Sequence, residues 1–148
     1  VVPHDGVGFG LLELELTERM LMDDLVEVKQ RLMRLKALGL RISVDDFGTG
    51  YSSLGHLKEL PIDKVKIDRS FIHDLPDNTD SAAITRAIVQ MGHSLDITVI
   101  AEGVETEAQS RFLSELGCHE LQGNWVGAPM PMQQFEDWVI ARRAAGSR

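Results

Sequence analysis

The chain has 148 residues, 43% of them hydrophobic, enough for one domain with an ordinary core. A formal net charge of −8 and a sequence pI of about 5.0 exclude the basic surface that a nucleic-acid polymer requires, but not a small anionic ligand held through cations. Cys118 is the only cysteine, which rules out an internal disulfide and fits a reducing, cytoplasmic setting. No apolar run approaches the roughly 20 residues of a membrane span, and no secretory signal is visible, although a parent protein could still be membrane-anchored. The opening Val1-Val2-Pro3, without Met, reads as cut from something longer. Residues 1–141 read as one unit and 142–148 as a polar tail.

Strand-like and helix-like segments alternate along the chain. Leu11 to Leu16 reads as a strand, and Asp23 to Leu38 as an amphipathic helix with Leu25, Val28, Leu32 and Leu35 on one stripe. Asp23 or Asp24 caps that helix and Gly39 stops it. A second strand, Arg41 to Asp45, leads to a short helix near Ser53 to Glu59, broken by Pro61. Lys64 to Ile67 is the third strand. Asp80 to Leu95 is a long helix with Ile84, Ala87, Ile88, Met91 and Leu95 facing inward. Ile97 to Ala101 is the fourth strand. The capping box Thr106-Glu107-Ala108-Gln109 opens a helix to Leu116, closed by Gly117. His119 to Gln122 is a short fifth strand, and a last helix follows Pro131 with Phe135, Trp138 and Val139 buried. This alternation implies an α/β fold with parallel strands covered by helices, either an open doubly wound sheet or a barrel. Neither a Gly-x-Gly-x-x-Gly run nor a Walker-type lysine supports the nucleotide-binding open sheets.

Each strand ends in polar chemistry. The first carries Glu15, then Thr17 and Glu18; the second Asp45 and Asp46; the third Lys66 and Asp68; the fourth Glu102, with Glu105 beyond it; the fifth Gln122. Ligands of a parallel α/β barrel bind at the C-terminal ends of its strands, so Glu15, Asp45, Asp46, Lys66, Glu102 and Gln122 are expected around one point. Taken singly, Lys66 could lie on the surface, Glu102 could cap the next helix and Gln122 could satisfy a loop carbonyl; their common position argues for a site. Adjacent Asp45 and Asp46, at a strand end before the turn Phe47-Gly48-Thr49-Gly50, suit two hard cations with one carboxylate bridging. Carboxylates and an amide without a His or Cys cluster favour Mg²⁺ or Mn²⁺ over Zn²⁺. A lysine beside them stabilises developing charge, and a further carboxylate serves as general base. Phosphodiester hydrolysis follows naturally, though sugar-phosphate chemistry uses similar parts.

The chain resembles the EAL domain family, bacterial phosphodiesterases that linearise cyclic di-GMP. The resemblance rests on Glu13-Leu14-Glu15-Leu16-Thr17-Glu18, Asp45-Asp46-Phe47-Gly48-Thr49-Gly50, Lys66-Ile67-Asp68, Ala101-Glu102-Gly103-Val104-Glu105 and Gln122-Gly123, in that order. It implies that Glu15 and Asp45 are metal ligands, with Asp45 the bridge, and that Asp46 ligates the second metal. Lys66 is then the lysine that contacts the attacking water or a phosphate oxygen. Glu102 is the carboxylate at the second metal site with the general-base role, and Gln122 positions water. Glu18 holds the loop Phe47 to Ser53, which in this family couples substrate and metal binding to dimerisation. Cyclic di-GMP as ligand, a homodimer, and an upstream GGDEF or sensory domain are implied partners.

Two departures accompany the resemblance. The Glu-Ala-Leu motif of the family's first strand and an asparagine ligand of its third strand are not in the sequence; both would precede Val1. The segments present therefore correspond to strands four to eight of a TIM-like barrel, and a whole barrel typically needs about 250 residues. After Gln122 the chain reads Gly123-Asn124-Trp125-Val126-Gly127-Ala128-Pro129, where Asn124, Gly127 and Ala128 differ from the family's usual residues. The expectation is an incomplete barrel, inactive alone, from a phosphodiesterase; the alternative is a catalytically silent domain that binds cyclic di-GMP or transmits a signal. His73-Asp74 is read as a polar loop, not a metal-binding His-Asp pair, and Met20, Met22 and Trp125 as packing residues.

Overall fold

In this computed structural model residues 9–21, 24–50 and 54–145 are described. They form an α/β partial barrel: five parallel strands, β1 (Glu13–Thr17), β2 (Arg41–Phe47), β3 (Lys64–Ile67), β4 (Thr98–Ala101) and β5 (Glu120–Leu121), hydrogen-bonded in sequential order. Helices α1 (Leu25–Ala37), α2 (Leu54–Glu59), α3 (Arg69–Ile72), α4 (Thr79–Leu95), α5 (Glu107–Glu115) and α6 (Met132–Ala145) follow successive strands.

The period-2 pattern of the strands separates two faces. Ile42, Val44, Val65, Ile67, Val99 and Ala101 are fully buried in the apolar core, which also takes Leu32 of α1, Ile88 and Val89 of α4 and Leu113 of α5. The residues between them, Ser43, Asp45, Lys64, Lys66, Thr98 and Ile100, lie on the opposite, concave face. Helix ends follow local chemistry. Asp24 Oδ1 accepts from the backbone N–H groups of Val26 and Glu27 at 3.0 and 3.2 Å, while Asn78 caps α4 and the Thr106–Gln109 capping box opens α5. Gly92 lets α4 lie close on β4: a Cβ there would meet Val99 Cγ2 at 2.2 Å.

The structure corrects several expectations. Phe9–Leu11 is a 3₁₀ turn, so the first strand starts at Glu13. The second strand runs on to Phe47, through a register irregularity between Val44 and Phe47 where Asp46 adopts φ 52°. The fifth strand is only two residues long. Along α4 the buried positions are Ser81, Ala82, Thr85, Ile88, Val89 and Gly92; Ile84 and Ala87 are exposed. Phe135 is exposed and Trp138 and Val139 are only half-buried, and α6 continues through Arg142 and Arg143. Met20 and Trp125 are about half-exposed instead of packed. Asp23, Met22 and Tyr51 to Ser53 lie outside the described residues.

Candidate active site

Lys66 is the centre of the concave face. Its side chain is 8% exposed, and its Nζ lies 2.9 Å from Glu15 Oε1, 3.3 Å from Asp45 Oδ1 and 2.8 Å from Glu102 Oε1. The three carboxylates come from β1, from β2 and from the residue directly after β4, so neighbouring strand ends supply one cluster. Burial opposes the ammonium charge, but the hydrogen bonds to Glu102 and Glu15, with the charges of Glu102 and Asp45, hold Lys66 well above the usual lysine range. Lys66 therefore stays cationic at every physiological pH.

The adjacent carboxylates Asp45 and Asp46 reach different neighbours because β2 is irregular between Val44 and Phe47 and Asp46 takes a positive φ. Asp46 is exposed and faces Asp68. Partial desolvation, and then the charges of Asp45 and Asp68, raise its carboxyl above the ordinary range, against the opposing pull of Lys66. Burial would raise Asp68 as well, but hydrogen bonds from Ser70 and the charge of Arg69 outweigh it and hold that carboxyl low. Asp68 is also the N-cap of α3, accepting from Ser70 N at 2.9 Å.

Glu18 is 3% exposed, and its Oε2 accepts from Gly48 N at 3.0 Å and Gly50 N at 3.1 Å. It thus anchors the turn after β2, in which Thr49 Oγ1 donates to Asp46 O at 2.8 Å and Phe47 drops into the core. Gln122 follows β5; its backbone N donates to Ala101 O and its carbonyl accepts from Val104 N, while its side chain is exposed and outside the Lys66 cluster. Glu105 is also exposed and outside the cluster; its backbone N–H is capped by Gln109. His73 is exposed beside Asp74.

The donor set fits a divalent cation. Asp45 Oδ1 is buried and accepts no hydrogen bond, and Asp45 and Asp46 repel each other, a repulsion that a hard cation between them would relieve. Among the described residues the three inner carboxylates converge on the Lys66 ammonium, and no three such groups form a ready-made metal cage. Sequence reasoning missed one charged group on the same face: Lys64 Nζ lies 3.3 Å from Glu13 Oε2 and 3.1 Å from Glu120 Oε2.

The family model described as the EAL domain matches residues 4–129. The chain belongs to the EAL domain family. The bifunctional diguanylate cyclase/cyclic di-GMP phosphodiesterase MucR of Pseudomonas aeruginosa is 53% identical over 124 residues, covering 84% of this EAL chain and 18% of MucR. The solved PaMucR phosphodiesterase, in complex with c-di-GMP, superposes with a TM-score of 0.82 at 51% identity, over 86% of this chain and 52% of that one. BlrP1 of Klebsiella pneumoniae, solved as a manganese/cyclic di-GMP complex, gives a TM-score of 0.73 at 32% identity over 80% of this chain and 30% of its own. This EAL chain spans less than a quarter of the curated relatives' length and about half of the solved MucR phosphodiesterase chain. Among the described residues no helix is long and apolar enough to cross a membrane.

Proposed function

We propose that this chain is part of a metal-dependent phosphodiesterase that hydrolyses cyclic di-GMP to linear pGpG in bacterial second-messenger signalling. The observation that carries the reading is the convergence of Glu15, Asp45 and Glu102 on Lys66 at the C-terminal ends of parallel strands. Its relatives' names and their complexes with cyclic di-GMP support the substrate.

In this reading Glu15, Asp45, Asp46 and Glu102 hold Mg²⁺ or Mn²⁺, which when bound would neutralise phosphoryl charge and acidify water. Lys66, cationic and buried, is an electrostatic anchor for a phosphate oxygen or the attacking water, and being already ordered it needs no reorganisation during the reaction. Glu102 is the general base, its carboxylate held in place by the Lys66 ammonium, and Gln122 orients water. Glu18 fixes the turn Phe47 to Gly50 and thereby Asp45 and Asp46, which precede it. Asp68 and Glu105 border the substrate. A homodimer, an upstream GGDEF or sensory domain, and a cytoplasmic location complete the proposal, with these 148 residues a poor catalyst by themselves.

The test compares cyclic di-GMP hydrolysis by this chain with that of a version extended to the whole barrel, in Mg²⁺ or Mn²⁺. Production of pGpG by the extended version alone, abolished by Glu102→Gln, is the expected result. Binding without cleavage by the extended version would make the protein a receptor and end the enzyme reading.

A further inference from the structure

Three pairs of residues share one spacing: Glu13 and Glu15 on β1, Lys64 and Lys66 on β3, Glu120 on β5 and Gln122 just after it. The second member of each pair belongs to the proposed site. The first members meet one layer below, where Lys64 Nζ contacts Glu13 at 3.3 Å and Glu120 at 3.1 Å. In a parallel barrel one interior layer is built from alternate strands and is dominated by Val, Ile and Leu. Here the layer from β1, β3 and β5 is an ion triad instead.

The two outer members sit on β1 and β5. Among the described residues β1 is hydrogen-bonded to β2, and β5, two residues long, to β4. Neither of these strands touches β3 through backbone hydrogen bonds, yet both reach its Lys64 through side chains. Ser43, in register with both Glu15 and Lys64, is small enough to let the long side chains meet across β2. The Lys64 side chain is 15% and that of Glu13 26% exposed, so this pair is screened by solvent less than a surface pair, while Glu120, at 48%, stays open to water. Burial opposes its charge, but Glu120 and Glu13 together raise its ionisation above the usual lysine range.

We propose that Lys64 is a positioning residue: by tying Glu13 and Glu120 to β3, it fixes β1 and β5, and with them Glu15 against Lys66 and Gln122 at the end of β5. The proposal deepens the phosphodiesterase reading and rests on it for the roles of Glu15 and Gln122; the triad itself is read from the ion pairs. Glu15 depends on such support because its own side chain is half-exposed, at 51%.

The test is side-chain NMR on this chain, following the Lys66 ammonium and the Gln122 amide, with Lys29→Met as control because, among the described residues, Lys29 makes an exposed 3.9 Å pair with Glu59. Lys64→Met is expected to lose the exchange-protected Lys66 signal and shift the Gln122 amide, and Lys64→Arg to restore both. Glu13→Gln should disturb Lys66 alone, and Glu120→Gln Gln122 alone; these milder variants decide the matter if Lys64→Met does not fold. Signals in the Lys64 and Glu variants equal to those of Lys29→Met, even with lowered melting temperature, would overturn the proposal. In the barrel-complete version Lys64→Met should lower kcat by about tenfold with KM nearly unchanged, the signature of misplaced groups. Absence of turnover in its parent would defeat the phosphodiesterase reading, while the NMR result still decides the triad.

Discussion

Replacing Lys66 with Met keeps most of the side chain's length and its apolar stem but removes the cation that three carboxylates share. Truncating one partner of a buried ion pair costs about 3–5 kcal/mol, because the remaining charge stays desolvated. The remaining carboxylates here are 51, 27 and 21% exposed, so they regain part of their hydration. That lowers the expected loss to about 2–3 kcal/mol. For a chain of this size the melting temperature should fall by about 6–9 °C. Urea unfolding in EDTA measures the loss directly. A double variant, Lys66→Met with Glu102→Gln, removes one surplus negative charge and should be more stable than the sum of the single losses by about 1–2 kcal/mol. If the two losses simply add, or if Lys66→Met costs less than about 0.5 kcal/mol, the cluster is not the mutually dependent unit described above.

Three further outcomes are expected. Glu18→Gln trades a charged acceptor for a neutral one at Gly48 and Gly50, a loss of about 1 kcal/mol per bond; exchange of those two amide hydrogens should quicken by about 30-fold, and unchanged exchange would mean that the turn holds itself. The Lys64 ionisation is raised by folding, so its stabilisation is complete below the ordinary lysine value of 10.5 and vanishes as pH climbs through the higher folded value. The stability gap between wild type and Lys64→Met should accordingly be constant from pH 6 to about 9.5 and close above it; a gap that persists at pH 12 would assign the effect to packing. Gly123→Ala would push a Cβ to within 2.3 Å of the Val104 backbone, which itself bonds Gln122 O and Trp125 N; a loss of about 3 kcal/mol or more in urea unfolding is expected, and a near-neutral variant would contradict this close approach.

Much of this arrangement was legible in the chain because strand ends are written locally. The apolar run and its polar flanks mark β3 as Lys64 to Ile67, and counting which polar groups close each apolar run brings Glu15, Asp45 and Glu102 together near Lys66. The misses have particular physical causes. A search for apolar periodicity assigns Ile84 and Ala87 to the inner face of α4, whereas the buried stripe includes polar Thr85 and side-chain-free Gly92, which apolarity cannot flag. Phe135 on α6 is apolar yet exposed, since no described element covers that part of the helix. The extension of β2 through Asp46 depends on a positive φ that no propensity predicts for a carboxylate in a strand. The Lys64 triad joins residues 51 and 56 positions apart, invisible to any local window, although the repeated i, i+2 spacing of polar residues was its available signal.

The sequential strand order bears on how the molecule assembles in time. Each strand docks beside its predecessor through a local β–α unit, so the sheet can grow by short-range steps with modest loop-closure entropy. The Lys66 cluster has a different history, because its members arrive on β1, β2, β3 and the residue following β4. It can close only when four strands are in place, late on the folding path. Interactions absent from the transition state slow unfolding without speeding folding. The charged centre is thus expected to act as a latch on the finished sheet, and Lys66→Met should speed unfolding more than it slows folding.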